Sequence, residues 1–313
     1  MGMFDTILAP IMWVVSWILY GAHWVFSWVF GPAGASWVLA IVALTMIMRF
    51  ALIPLFFKQI KASRGMQLMQ PELKAVQKKY KGKTDPASRE AMTRETMELY
   101  KKHGTNPFAS CLPILLQSPV FFALFRVLNN LRPISEGNLA PIGPLNQTVA
   151  TEFANSSFFG ARLSDVFLHE GVSTTARIVI VALIVAMSVT TFTTQRQLTM
   201  KNMPKAALEG PAANMQKMML YVLPLIFAVS GVNFPVGVLI YWLVTNLWSM
   251  GQQFYTIKRM PAPGSEAERA MREKQARKAA AKGIVLEEAT VVAETKPTGQ
   301  RVQPQRKNRK KKG

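Results

Sequence analysis

The sequence has few charged residues and little of what builds disulfides or metal sites. Only 17% of its 313 residues are charged, against about a quarter in typical globular domains. The single cysteine, Cys111, excludes an intramolecular disulfide, and the three histidines are too scattered to form a metal-ligand pattern. We therefore expect no metal and no other cofactor.

Motifs of common membrane enzymes are also missing. There is no His-Glu-x-x-His zinc motif, no Gly-x-Ser-x-Gly nucleophile turn, and no Asp or Glu within a confident apolar span. Gly82-Lys83-Thr84 resembles part of a phosphate-binding loop, but Gln77 stands where that motif needs its first glycine. The sequence thus predicts that the chain is not an enzyme.

Long apolar runs dominate what is present. Half of the residues are hydrophobic although the net charge is +20, so apolar and basic residues must be segregated along the chain. A helix needs about 20 apolar residues to cross a bilayer. The sequence predicts an all-α polytopic membrane protein with five transmembrane helices, at residues 37–57, 107–130, 174–195, 216–232 and 234–257.

Residues 1–36 carry a sixth apolar run that is rich in tryptophan. Trp13, Trp17, Trp24 and Trp28 recur at spacings that place them near one helical face. Indole rings prefer the headgroup level of a bilayer. We interpret this run as an amphipathic helix lying in the interface on the outer face; a transmembrane helix is the alternative.

The distribution of Lys and Arg predicts the orientation. Twelve basic residues lie in 58–102 and sixteen from Lys258 onward, whereas residues 1–36 have none and 131–173 have only two. By the positive-inside rule, we expect the N-terminus outside and the C-terminus in the cytoplasm. The loop 131–173 is then extracytoplasmic and the loop 196–215 cytoplasmic.

Two cytoplasmic segments have a character of their own. Residues 58–106 read as a helical hairpin, whose second helix starts with Asp85 as N-cap and Pro86 at the first position. Its methionines could receive apolar peptides, although Met at helical spacing more often serves packing; these are Met66, Met69, Met92 and Met97. The tail 258–313 is basic and reads as largely disordered, and its last residues could contact ribosomal RNA or anionic lipid; they are Arg306, Lys307, Arg309, Lys310, Lys311 and Lys312.

Arg49 is the most unusual residue within the predicted spans. Eight residues from the end of its span, it would lie roughly 12 Å inside the membrane, where an arginine costs about 2.5–3.5 kcal/mol. Other polar side chains lie at similar depth, so we expect a hydrophilic groove that opens to the cytoplasm; they are Thr45, Gln117, Thr191, Trp242 and Asn246.

Each of these residues also has a simpler interpretation. Arg49 could extend its side chain toward the cytoplasm from the end of a shorter span. Hydroxyls in membrane helices usually bond to their own backbone, and Gln117 and Asn246 could form ordinary interhelical hydrogen bonds.

Three stretches of the apolar segments have distinctive sequences. They are Thr45-Met46-Ile47-Met48-Arg49 leading to Pro54, Cys111-Leu112-Pro113-Ile114-Leu115-Leu116-Gln117-Ser118-Pro119, and Phe234-Pro235-Val236-Gly237 followed by Tyr241-Trp242. These stretches resemble the YidC/Oxa/Alb family of membrane protein insertases, and in particular its compact actinobacterial type. The resemblance also implies that the membrane is a bacterial plasma membrane.

The resemblance implies a substrate groove with Arg49 on the first core helix, Thr45 one turn away and Gln117 on the second. Tyr241 and Trp242 would add aromatic contacts, although some members have Tyr where this chain has Trp242. It also implies that the hairpin receives nascent membrane proteins. Further implied partners are the ribosome, the general secretion translocon and the signal-recognition machinery. A solute channel and a non-inserting assembly scaffold are the rival functions.

Overall fold

The computed structural model describes residues 3–104, 112–203 and 211–281, most of them in helices. The elements in chain order are α1 (Met3–Phe30), α2 (Ala35–Ala51), α3 (Ile53–Lys79), α4 (Pro86–Lys102), α5 (Leu112–Ser135), α6 (Gln147–Asn155), β1 (Ser157–Phe158), β2 (Ala161–Arg162), α7 (Thr174–Arg196), a π-helical segment (Gln197–Lys201), α8 (Pro211–Gly231), α9 (Val236–Arg259) and α10 (Glu266–Ala280).

The predicted first span is divided in the structure. α2 ends at Ala51, Leu52 joins it to α3, and the axis bends by 50° between Ala35–Ala51 and Ile53–Ile60. Pro54, in the first turn of α3, lacks an N–H and restricts the residue before it, which breaks a continuous helix. Residues 37–57 therefore form a bent helix pair, which the sequence analysis did not anticipate.

Contacts between the helices show their relative directions. α2 and α9 run parallel, because Ile41 lies beside Gly237 and Phe50 packs on Trp248. α7 runs parallel to α9 as well, since Asn246 bonds to Thr191 and Ala262 to Asn202.

α5 and α8 run the opposite way. Phe121 of α5 faces Tyr241 while Phe125 faces Phe234, so α5 is antiparallel to α9. Tyr221 of α8 lies on Phe192 of α7, and Gly231 lies against Ile184. The five helices α2, α5, α7, α8 and α9 thus alternate in direction along the chain.

A small cap closes one end of this bundle. It consists of α6, which Asn146 caps by accepting a hydrogen bond from the Val149 N–H, and the antiparallel pair β1–β2. Carbonyls of this cap accept hydrogen bonds from the first N–H groups of α9: Val236 N lies 3.0 Å from Asp165 O, and Gly237 N lies 2.9 Å from Leu163 O. The cap therefore fixes where α9 begins.

α1 packs on α2 and α5 through buried apolar side chains. His23, near its C-terminal end, stacks on Trp37 at 3.8 Å, and Ser16 in its middle lies close to Gly143 of the loop between α5 and α6. The tryptophans predicted to share a face, Trp13, Trp17, Trp24 and Trp28, are all exposed. α1 is long and apolar enough to cross a membrane, so its interfacial position stays a prediction.

The predicted membrane character is visible on the outside of the bundle. α7 exposes Ile178, Val181, Val185 and Val189 in one stripe, as a helix facing lipid does. By length and composition, Asp5–Phe30 and Thr174–Arg196 could each cross a membrane, and the bent pair would make a third span. Lys217–Gly231 is a shorter apolar helix among the described residues. The count of five spans stays a prediction.

α3 and α4 form an antiparallel hairpin held by ionic contacts at both ends. Glu72 pairs with Lys102 and His103, and Glu95 pairs with Lys79 and accepts a hydrogen bond from Tyr80. Asp85 caps α4 as the sequence predicts, accepting from Ser88 N at 2.7 Å.

Candidate functional site

A cavity of about 420 Å³ lies between the bend of α2 and α3, α5 and α9. Its polar lining residues come from four different helices. The rest of the lining is apolar. Arg49, Gln59, Gln117, Ser118 and Gln252 form the polar part, and Leu52, Leu55, Phe56, Phe121 and Phe122 the apolar part.

Arg49 reaches the cavity from the last turn of α2, two residues before that helix ends. Its side chain is half-buried, and within the described residues no hydrogen bond or ion pair holds its guanidinium. Tyr241 of α9 lies close enough for electrostatic interaction. A guanidinium in this position can offer up to five hydrogen-bond donors to a polar group that enters the cavity.

Two further residues named by the sequence analysis belong to this neighbourhood. Gln117 lines the cavity directly, one turn into α5. Trp242 lies behind the cavity wall and contacts Phe121, Phe227 and Phe234 at ring-centroid distances of 4.8–5.6 Å. It therefore supports the wall formed by Phe121, and the cavity lining does not include it.

Thr45, Thr191 and Asn246 are placed elsewhere. The Thr45 hydroxyl is buried and donates to the Ile41 carbonyl at 2.7 Å. Asn246 Nδ2 donates to Thr191 Oγ1 at 2.8 Å and to the Met187 carbonyl at 3.3 Å. The simpler interpretations, a backbone bond for Thr45 and an interhelical bond for Asn246, describe these geometries.

The predicted substrate-receiving methionines do not share one environment. Met69 is fully buried, Met92 is half-buried, and Met97 is exposed. The Met66 side chain and the basic cluster of residues 306–312 lie outside the described residues.

Sequence reasoning missed several residues of the site. Gln59, Ser118 and Gln252 line the cavity. Gln59 lies just beyond the predicted end of the first span, in the predicted hairpin. Ser118 and Gln252 carry no sequence signal that sets them apart from other polar residues. Arg126 on α5 does not line the cavity but pairs with Asp5; the sequence analysis did not name it, although an arginine inside a predicted span is itself a signal. Among the described residues, no group of three or more His, Cys, Asp or Glu could hold a metal ion.

Comparison with known proteins gives a consistent family match. The family described as 60Kd inner membrane protein matches residues 28–263. A protein of Streptomyces avermitilis named membrane protein insertase YidC is 45% identical over 269 residues, covering 83% of this chain and 60% of the relative. A Bifidobacterium longum protein of the same name is 37% identical and covers 99% of this chain and 96% of its own length. Proteins of that name from Tropheryma whipplei are 40% identical over 85% of this chain.

The relatives differ in how much of their own length this chain covers. The chain spans about three fifths of the Streptomyces relative but nearly the whole Bifidobacterium one. A solved structure described as an active YidC insertase with its first transmembrane domain resolved is 21% identical. It covers 82% of this chain and 47% of its own, with a TM-score of 0.42.

Proposed function

The chain belongs to the YidC family of 60Kd inner membrane proteins, and on that premise we propose that it inserts nascent membrane proteins into the bilayer. It is a multi-pass protein of the plasma membrane, and its family is not a family of catalytic enzymes. The observation that carries the proposal is the cavity lined by Arg49, Gln59, Gln117 and Gln252 at one end of the helix bundle.

The proposed substrate is a hydrophobic segment that carries a short polar tail. In hydrocarbon each polar group of that tail costs several kcal/mol, about 2–7 on common transfer scales, unless it finds a partner. Arg49 and the three glutamine amides supply such partners within the cavity, and the guanidinium attracts acidic tails in particular. The segment then moves into lipid, driven by roughly 25 cal/mol per Å² of buried apolar surface, without nucleotide hydrolysis by this chain.

Helix directions support the proposed topology. α2, α7 and α9 run one way and α5 and α8 run the other. This alternation along the chain is what five successive membrane crossings require. The basic residues of 58–102 then lie on the same side as the cavity, in the cytoplasm, and the cap of α6 and β1–β2 lies outside. We place the N-terminus outside and the C-terminus in the cytoplasm.

The proposed partners follow from the same arrangement. The α3–α4 hairpin, continuous with the bend beside Arg49, would receive the nascent segment, and the basic tail would contact the ribosome or anionic lipid. Joint action with the general secretion translocon and the signal-recognition machinery is part of the proposal.

Protease protection of a newly translated single-span client tests the function directly. We expect liposomes that contain only the purified full-length chain to protect the client above the level of empty liposomes. Arg49→Ala should reduce that protection, and Arg49→Lys should retain part of it, because Lys keeps the charge but loses the planar fork of donors.

The matched control is Arg162→Ala, which removes an exposed arginine from β2 of the cap. Equal protection by Arg49→Ala and the wild type would overturn the role of the guanidinium. Solute leakage through the wild-type chain without client protection would favour the channel.

A further inference from the structure

A second cavity, of about 440 Å³, lies beside the first one and is not explained by the proposed handling of a polar tail. It is bounded by the start of α3 and the second half of α9. Its lining residues are Ile53, Phe56, Phe57, Leu247, Trp248, Gly251, Gln252, Tyr255 and Thr256. A cavity of this volume falls within the range of about 300–1,000 Å³ that small-ligand sites occupy.

The lining of this cavity is apolar at one end and polar at the other. Phe56, Phe57, Leu247 and Trp248 give walls suited to a hydrocarbon chain. The polar groups of Gln252, Tyr255 and Thr256 lie toward the end of α9. A ligand that fits this gradient has an apolar chain at one end and hydrogen-bond acceptors at the other.

The charge at that end is positive. Lys258 and Arg259 follow one turn after Tyr255 and Thr256, on the same face of α9. Both are exposed, and the Arg259 guanidinium lies 5.8 Å from the centre of the Tyr255 ring. Lys58, also exposed, directly follows Phe57 on α3. A guanidinium over an aromatic ring keeps its N–H groups available at the rim for an anionic group.

We infer that this cavity is a binding site for one anionic phospholipid, with an acyl chain between α3 and α9 and the phosphate at Lys258 and Arg259. The inference goes beyond the proposed insertion activity. The acyl chain of the lipid would occupy this second cavity, whereas the polar tail of a client would use the first. The two cavities share Phe56 and Gln252, so a lipid held here would form part of the wall behind Arg49.

Gly251 offers a way to fill the cavity without disturbing the helix. A Cβ at Gly251 would have no atom within 4 Å, and the same is true of Gly21 on α1. Both glycines are exposed and helical. Gly251→Leu would project into the cavity, and Gly21→Leu adds the same side chain on another helix as a matched control.

Native mass spectrometry of the delipidated full-length chain in detergent tests the inference. The probes are phosphatidylglycerol and phosphatidylcholine with identical acyl chains. We expect the wild type and Gly21→Leu to retain phosphatidylglycerol about 30-fold more tightly than phosphatidylcholine, the preference that two basic residues beside an anionic headgroup would give. Gly251→Leu should weaken the binding of both lipids.

The charge is tested separately. Lys258→Gln with Arg259→Gln should remove the preference for phosphatidylglycerol, because phosphatidylglycerol carries a net negative charge and phosphatidylcholine does not. Arg89→Gln with Arg94→Gln, two exposed residues of α4, should leave that preference unchanged. Equal affinity of the wild type for both lipids, or unchanged binding by Gly251→Leu, would overturn the inference. So would a photo-crosslinker at Phe57 that captures a client segment instead of lipid.

Discussion

The carboxylate of Asp5 in α1 lies 2.9 Å from Nε of Arg126 in α5. Asp5 Oδ1 and Arg126 Nε form an ion pair, but their geometry is not that of a well-directed hydrogen bond. Both side chains are shielded, with 19% of Asp5 and 37% of Arg126 exposed. The pair ties the start of the N-terminal helix to a helix of the bundle.

Asp5→Asn should destabilise the chain because it leaves the Arg126 charge without its counterion. Breaking a fully buried pair costs about 3–5 kcal/mol and an exposed one about 0–1 kcal/mol, so the partial exposure of this pair predicts an intermediate loss. Thermal unfolding of the purified protein in detergent measures it. The control is Glu136→Gln, which breaks the exposed pair with Arg132 and should change little. An equal effect of both variants would contradict the prediction.

Asn246 and Thr191 should be energetically coupled. Their hydrogen bond joins α7 to α9, and interhelical bonds of this kind contribute about 0.6 kcal/mol on average. A double-mutant cycle of Asn246→Ala and Thr191→Val, read from unfolding free energies, should show that coupling. The same cycle of Asn246→Ala with Thr45→Val serves as a control, because Thr45 bonds to its own helix and should show none.

Gly237→Ala should destabilise the contact between α9 and the cap. An added Cβ would lie 2.9 Å from Phe153 Cζ and 3.5 Å from the Leu163 carbonyl, and overpacking of this kind costs typically about 1–3 kcal/mol. Gly251→Ala, in the same helix, has open space around it and should be neutral or stabilise by up to about 1 kcal/mol. Hydrogen exchange at the first turn of α9 would report the difference. Faster exchange in both variants, or in neither, would count against it.

The α3–α4 hairpin should open in acid. The hydrogen bond from Lys102 lowers the pKa of Glu72, and that from Lys79 lowers the pKa of Glu95. A lowered folded-state pKa means that the stabilisation is present above the ordinary Glu value of about 4.3 and is lost as the pH falls through the folded value. Spin labels on α3 and α4 should separate in that window. Because exposed pairs contribute little individually, we expect the two helices to separate only in part. Glu72→Gln with Glu95→Gln should show that separation already at neutral pH, and a distance that stays constant with pH in the wild type would refute the prediction.

The hairpin should also loosen at high pH. The same contact with Glu95 raises the pKa of Lys79. A raised folded-state pKa contributes stability that is fully present below the ordinary Lys value of about 10.4 and is lost as the pH rises through the folded value. The spin-label distance should therefore increase again in strong base. The hydrogen bond to Glu95 raises the pKa of Tyr80 as well. Lys79→Gln with Tyr80→Phe should therefore remove that second transition and leave the acid transition at Glu72 in place.

Local patterns in the sequence determined the family, the helical character and the membrane class. The informative features are local: the apolar runs, the basic loops, the Asp85-Pro86 start of α4 and the stretch around Arg49. They can be predicted from the sequence because helix formation and partition into lipid depend on neighbouring residues. The four tryptophans that the helical period places near one face of α1 are all exposed in the structure.

Only the tertiary structure decided which polar residues meet. Arg49, Gln59, Gln117 and Gln252 come from four helices and share a cavity, whereas Thr45, Thr191 and Asn246 lie at similar sequence depth but bond to their own helix or to each other. The pairing of Asp5 with Arg126 joins residues that are far apart in the chain. Depth along a helix can be read from residue numbers, but the rotation of each helix against its neighbours depends on side-chain packing across the whole bundle.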